Sequence, residues 1–185
     1  MLPSKINNIF LIKLLNGGNV MGCFGITRDT TANYSFVTKY YEDGDYLYSR
    51  INEAYEIMDW KEIIEMLWGI SGSIENVHES GSFYGNLHGG NLLVRDGSIC
   101  IVDTKLQCLI DSKLYGVLPY MAPEILRGNF PTKASDIYSF GIIMWFLSAG
   151  IRPWYDRPHD SKLVSEICSG LRPKIIDGTP NVYIQ

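Results

Sequence analysis

The chain has 185 residues, with 16 Lys and Arg against 20 Asp and Glu, a formal charge of −4 and a hydrophobic content of 46%. This length suffices for one domain with a buried core. Low net charge and ample apolar content argue against a disordered chain, and the mildly acidic balance argues against nucleic-acid binding. The four cysteines are widely spaced without a CxxC pair, which favours a reducing, cytoplasmic environment.

The apolar runs are too short to suggest a membrane protein. The run Ile9-Phe10-Leu11-Ile12 is broken by Lys13 and precedes no small-residue cleavage site, so no secretory signal is predicted. The longest apolar stretch, residues 140–147, is far shorter than a bilayer-spanning helix. We therefore expect a buried helix there and no membrane partner.

Up to about residue 48 the sequence predicts strands. Residues 20–27 and 34–40 are rich in aromatic and β-branched side chains, and a polar segment connects them. From Asp59 the apolar residues recur with a helical period, and Asp59 with Glu62 predicts a capped helix that ends near Gly81.

Two more helices are predicted further along the chain. They cover residues 134–149 and 161–169, and each is followed by a glycine. The apolar side chains in both are interpreted as core.

Short apolar runs on both sides of Asp96-Gly97 predict a β-hairpin. A turn centred there pairs Asn91 with Val102 and brings Asn91 beside Asp103. An amide carbonyl and a carboxylate held together suit Mg²⁺, which prefers oxygen ligands. Taken alone, the same two residues could equally cap the strand ends.

The order of motifs resembles a protein kinase, most closely the tyrosine-kinase-like (Ser/Thr/Tyr) group with its expanded fungal families. The segments that carry the resemblance are Asn86-Leu87-His88-Gly89-Gly90-Asn91, the hairpin, Asp103, Ala122-Pro123-Glu124 and Asp136-Ile137-Tyr138-Ser139-Phe140-Gly141. It covers about residues 19–180 and implies an α+β, protein kinase-like fold, incomplete at both ends. Residues 1–48 would form a partial N-lobe (the end of helix C, strands 4 and 5, and the hinge), and residues 49–185 a mostly helical C-lobe without the final helices.

The resemblance also implies roles for individual residues. Asn91 and Asp103 match the two magnesium ligands of kinases. The gatekeeper and hinge that hold adenine match a single run: Thr38, Lys39, Tyr40 and Tyr41. ATP and Mg²⁺ are therefore the implied cofactors, and a protein is the implied substrate or partner.

Two further matches concern support of the fold. Glu124 matches the glutamate of the kinase APE motif, and Asp136 matches a buried aspartate that steadies the backbone of the catalytic loop. The tyrosines around the hinge either form a docking surface or pack between the lobes: Tyr40, Tyr41, Tyr46 and Tyr48.

Several kinase features are replaced. Asn86 stands where the catalytic aspartate is expected, and an amide cannot accept the substrate hydroxyl proton at neutral pH, so a loss of ~10² to 10⁴ in rate is expected. Tyr84 and Gly85 replace the preceding His and Arg, Thr104-Lys105 follow Asp103 in place of Phe-Gly, and Val117 replaces a Thr that faces the catalytic aspartate. The sequence also holds no GxGxxG motif, and no Glu before Glu42 to form the Lys–Glu pair.

Three functions are compatible with these observations. The first is a catalytically impaired, pseudokinase-like domain that acts in signalling by binding. The second is an active kinase that transfers the ATP γ-phosphate to Ser, Thr or Tyr. The third is a marginally stable kinase fragment with uncovered apolar helix faces.

Overall fold

A computed structural model describes residues 23–28, 34–38, 46–54, 58–95, 98–102 and 116–184. In these ranges, two short antiparallel β-hairpins accompany a mostly helical body. The predicted α+β class is therefore confirmed. None of the helices described is long and apolar enough to cross a bilayer.

The first hairpin joins β1 (Cys23–Arg28) and β2 (Tyr34–Thr38). The strands pair from Cys23 with Thr38 to Arg28 with Tyr34, and the register shifts at a bulge between Cys23 and Gly25. β-Branched and aromatic residues favour this extended structure. The two strand predictions are confirmed for these ranges, while residues 20–22 and 39–40 lie outside the described residues.

Helix α1 (Leu47–Ala54) was not predicted. It starts before residue 48, where the sequence suggested that strand structure ends, so that expectation is corrected. Leu47 is 1% exposed, and Tyr46 forms an isolated antiparallel bridge with Leu93. Contacts with residues more than forty positions away hold this segment, and local sequence patterns do not reveal such contacts.

Helix α2 (Trp60–Glu79) forms as predicted. The Asp59 side chain caps its N-terminus by accepting a hydrogen bond from the Glu62 N–H at 2.8 Å. One face is buried against the rest of the domain: Ile63, Met66, Leu67, Ile70, Ser73, Ile74 and Val77. This face packs on the second hairpin and on helix α4, described below.

The second hairpin joins β3 (Leu92–Arg95) and β4 (Ser98–Ile101). Leu92 pairs with Ile101 and Arg95 with Ser98, the register predicted from the Asp-Gly turn. Immediately beyond the ladder, the Val102 N–H donates to the Asn91 carbonyl at 2.8 Å. The predicted pairing of Asn91 with Val102 is confirmed.

The rest of the body is helical. A 3₁₀ turn at Leu118–Tyr120 leads to α3 (Pro123–Leu126), and α4 (Lys133–Ala149) runs through the centre. Gly150 ends α4 in the left-handed conformation (φ 66°), which glycine adopts without strain. Helices α5 (Ser161–Cys168) and α6 (Asn181–Ile184) follow, so both helix predictions in this region hold to within one residue.

The N-terminus of α4 provides a test of local stability. The Thr132 hydroxyl accepts the Ser135 N–H at 3.3 Å, while the Ser135 hydroxyl accepts the Thr132 N–H at 2.9 Å. We expect Thr132→Ala to lower the free energy of unfolding by about 1 kcal/mol in a urea titration. Thr132→Ser retains the hydroxyl and serves as the control. Equal stability of the two variants would contradict this role of the cap.

Candidate active site

The loop of residues 84–91 is anchored by one carboxylate of α4. Asp136 accepts hydrogen bonds from the backbone N–H groups of Tyr84 at 2.8 Å and Gly85 at 2.9 Å. Its Oδ2 also lies 2.9 Å from Nε2 of His78, near the end of α2. The end of α2 and the loop that follows it therefore meet α4, which lies more than fifty positions further along the chain, at one side chain.

The surroundings of Asp136 compensate for its burial. The residue is 1% exposed, and a buried carboxylate is tolerated only when hydrogen bonds replace its water. Two N–H groups and the His78 ring provide them, and Asp136 lies in the first turn of α4, where the helix dipole favours negative charge. Lys133 Nζ additionally donates to the His78 carbonyl and so fixes the end of α2.

Asn86 lies directly after this anchored pair. Its backbone carbonyl accepts a hydrogen bond from Asn91 Nδ2 at 3.2 Å. Its own Nδ2 is inaccessible to solvent and has no hydrogen-bond partner among the described residues. The side chain at the position of the expected base therefore has its amide nitrogen inside the protein.

Asn91 is held at the junction of the loop and the second hairpin. It is 7% exposed, its N–H donates to the His88 carbonyl at 2.9 Å, and its carbonyl accepts from Val102. With Nδ2 donating to Asn86, the amide plane is fixed, and an amide oxygen is a ligand type that Mg²⁺ accepts. The other ligand implied by the resemblance, Asp103, lies outside the described residues, which contain no cluster of three or more potential metal-ligating His, Cys, Asp or Glu side chains.

The implied adenine-binding residues fall mostly outside the described ranges. Thr38 ends β2, and its side chain is not described. Lys39, Tyr40 and Tyr41 lie outside the described residues.

Glu124 lies in α3 and is half-buried. The ion pairs among the described residues are Lys61–Glu65, His78–Asp136 and Arg157–Glu166, so the Glu124 carboxylate has no cationic partner there.

A tyrosine cluster beside the loop was missed by the sequence analysis. The Tyr48 hydroxyl donates to the Tyr120 hydroxyl at 3.0 Å, and the Arg152 guanidinium lies 4.3 Å from the Tyr48 ring centroid. Burial raises the pKa of both phenols, so both hydroxyls are neutral at physiological pH. The ring of Tyr48 packs edge-on against Phe146, with 5.3 Å between centroids. Of the two alternatives for Tyr48, packing is the one observed.

The loop, the hairpin that follows it and the helix carboxylate behind it have the order of a protein kinase catalytic lobe. Comparison with known proteins agrees, since the family model of the protein kinase domain matches residues 4–181. The chain therefore belongs to the protein kinase domain family.

Curated relatives are similar over most of this chain. It is 28% identical over 131 residues to the serine/threonine/tyrosine-protein kinase HT1 of Arabidopsis thaliana, covering 65% of this chain and 33% of HT1. It is 28% identical over 160 residues to the serine/threonine-protein kinase CTR1 of the same plant, covering 80% and 19%. It is 27% identical over 172 residues to the calcium/calmodulin-dependent protein kinase type 1 of Macrobrachium nipponense, covering 89% and 49%. The chain thus spans at most about half the length of these three relatives.

The anchoring carboxylate provides the first test of this site. Asp136→Ala leaves two buried N–H groups without an acceptor, and we expect the free energy of unfolding to fall by about 3 kcal/mol or more. Asp136→Asn keeps one acceptor and should lose less. Urea unfolding measures both, with the exposed Asp156→Ala as control. A loss no larger than that of the control would contradict the anchoring role.

The close packing of Gly89 provides the second test. A Cβ at Gly89 would lie 2.5 Å from Tyr48 Cε1 and 3.0 Å from Phe146 Cε1. We expect Gly89→Ala to cost about 1–3 kcal/mol of stability through overpacking. A Cβ at Gly141, in α4, meets nothing within 4 Å, so Gly141→Ala should instead stabilise by about 0.5–1 kcal/mol. Equal Tm values for the two variants would contradict the packing argument.

Proposed function

We propose that this chain is a kinase-like domain with impaired phosphotransfer that acts in signalling by binding a protein partner. Its similarity to HT1 and CTR1, both named protein kinases, supports the kinase type, and the catalytic-loop sequence supports a pseudokinase of the tyrosine-kinase-like, fungal-type group. We further propose that residues 1–48 and 49–185 form the two lobes and that the protein acts in the cytoplasm.

One observation carries the proposal: the base position is Asn86. A general base must accept a proton within hydrogen-bond reach of the substrate hydroxyl, and a neutral amide cannot do so. The Asn86 Nδ2 is a donor, and it is enclosed in the protein. Both the chemistry and the position of this group are therefore unsuited to proton abstraction.

The neighbouring replacements support the same conclusion. Gly85 offers no guanidinium to bind a phosphorylated activation segment, so control by phosphorylation of that segment is not expected. Its N–H still donates to Asp136, so the loop keeps its backbone anchor without the arginine. We therefore assign Asp136, together with Glu124, a structural role.

The sequence retains residues that match the metal-binding and adenine-binding positions of kinases, so nucleotide binding is the part of kinase function that it best supports. Protein kinase domains generally bind ATP and Mg²⁺, and Mg²⁺ neutralises phosphate charge during transfer. We propose that Asn91 and Asp103 would hold the metal and that Thr38, Lys39, Tyr40 and Tyr41 would contact adenine. The fixed amide plane of Asn91 fits an oxygen-ligated metal.

An active kinase is the second candidate, and the ordered Asn91 favours it. Positioning and charge neutralisation account for most of kinase catalysis, so a domain that retains both metal ligands would keep part of the rate enhancement. The two candidates differ in whether the wild-type chain transfers phosphate above a metal-ligand variant.

Transfer from radiolabelled ATP to a generic protein substrate tests the proposal. We expect the wild type to incorporate no more phosphate than Asp103→Ala. Thermal shift with ATP, with and without Mg²⁺, reports binding separately through ligand linkage. Asn86→Asp serves as the matched variant, and a gain of ~10² to 10⁴ in rate would assign the deficit to the missing base. Turnover by the wild type that is abolished in Asp103→Ala would establish the active kinase instead.

A further inference from the structure

A small, partly open cavity lies between the loop, the segment of residues 116–122 and α4. Its volume is about 20 Å³, and its lining includes Asn86, Val117, Tyr120, Asp136 and Ser139. A cavity needs roughly 10–15 Å³ of such volume to hold one water molecule. This cavity therefore admits a single water and is too small for an organic ligand.

The lining of the cavity contains an unsatisfied donor. Asn86 Nδ2 is inaccessible to solvent and forms no hydrogen bond with the part of the chain that the structure describes. Buried polar groups in folded proteins are almost always paired with protein or ordered water.

Ser139 and Asp136, which line the same cavity, carry acceptor atoms. Ser139 Oγ lies 2.7 Å from the Tyr120 carbonyl and 3.0 Å from the Ser135 carbonyl, and its single proton can be donated to one of them, while its lone pairs can accept. The Asp136 carboxylate has about four acceptor sites, of which the Tyr84 and Gly85 N–H groups and the His78 ring use three. A small molecule in this cavity can therefore accept a hydrogen bond from Asn86 and donate hydrogen bonds to Ser139 or Asp136.

We propose that one ordered water molecule occupies this cavity, accepting a hydrogen bond from Asn86 Nδ2 and donating to the Ser139 and Asp136 side. The chemistry selects water over an ion. A cation has no lone pair for the Asn86 N–H group, and an anion would lie beside the buried Asp136 carboxylate. The water links the loop to α4 and to the 116–122 segment.

The side chain of Val117 cannot accept a hydrogen bond from the Asn86 N–H group. Its half-buried side chain lines the same cavity but offers no hydrogen-bonding group. Val117→Thr keeps the size of the side chain and introduces a hydroxyl that can accept from Asn86 or bond to the water. The pair of positions 86 and 117 therefore allows the water site to be tested from both sides.

The direct test is a crystal structure of the whole chain at a resolution that shows ordered water. We expect one density peak in the cavity, within hydrogen-bond distance of Asn86 Nδ2, and a nuclear Overhauser effect in solution between that amide and water. An empty cavity in the density, or an Asn86 side chain turned to solvent, would overturn the proposal. Neither readout depends on whether the domain transfers phosphate.

A thermodynamic cycle adds a second, independent test. We expect Val117→Thr to raise Tm by about 2–4 °C in the wild-type background, since the hydroxyl gains partners. In the Asn86→Ala background, where the donor is gone, the same change should give no rise. Val117→Ala, which only enlarges the cavity, is the control. Equal effects of Val117→Thr in both backgrounds would show that Asn86 does not face the cavity, and this too would overturn the proposal.

Discussion

The arrangement of the site depends on the burial of one charge, the Asp136 carboxylate. A carboxylate that is removed from water must be surrounded by donors, and here they come from Tyr84, Gly85 and His78. This requirement fixes the start of the loop against α4 and the end of α2. The donors from the loop are backbone N–H groups, so this anchor depends on the backbone conformation, which at Gly85 is left-handed (φ 71°) and favours glycine.

Much of the fold could be predicted from local patterns, because the signals there are local. The Asp-Gly turn fixes the register of β3 and β4, and the caps at Asp59, Thr132 and Asp160 mark the starts of three helices. Helix α1 could not be found in this way. It is stabilised by contacts of Leu47 and Tyr48 with the loop and with α4, which lie many residues away in the chain.

In the candidate site too, local sequence signals could be predicted and long-range contacts could not. Asn86, Asn91 and Asp136 could be identified as site residues, because the order and spacing of the motifs can be read directly from the sequence. The hydrogen bond between Tyr48 and Tyr120 joins residues 72 positions apart, and Gly89 accommodates the Tyr48 ring only because it lacks a Cβ. Such contacts produce no periodic pattern in the sequence. The burial of the Asn86 amide nitrogen is likewise a property of packing, which the residue type alone does not indicate.

The conformation of the loop and its capacity for proton abstraction thus depend on different groups in this domain. The anchor on Asp136 uses backbone groups, while proton abstraction would require one particular side chain at position 86. A neutral amide there is electrostatically compatible with the nearby buried carboxylate, because its N–H group is the positive end of a dipole. A second carboxylate in the same small cavity would be disfavoured by like-charge repulsion and by desolvation. With Val117 offering no hydroxyl to share that charge, Asn86 suits the stability of this loop better than it would suit proton abstraction.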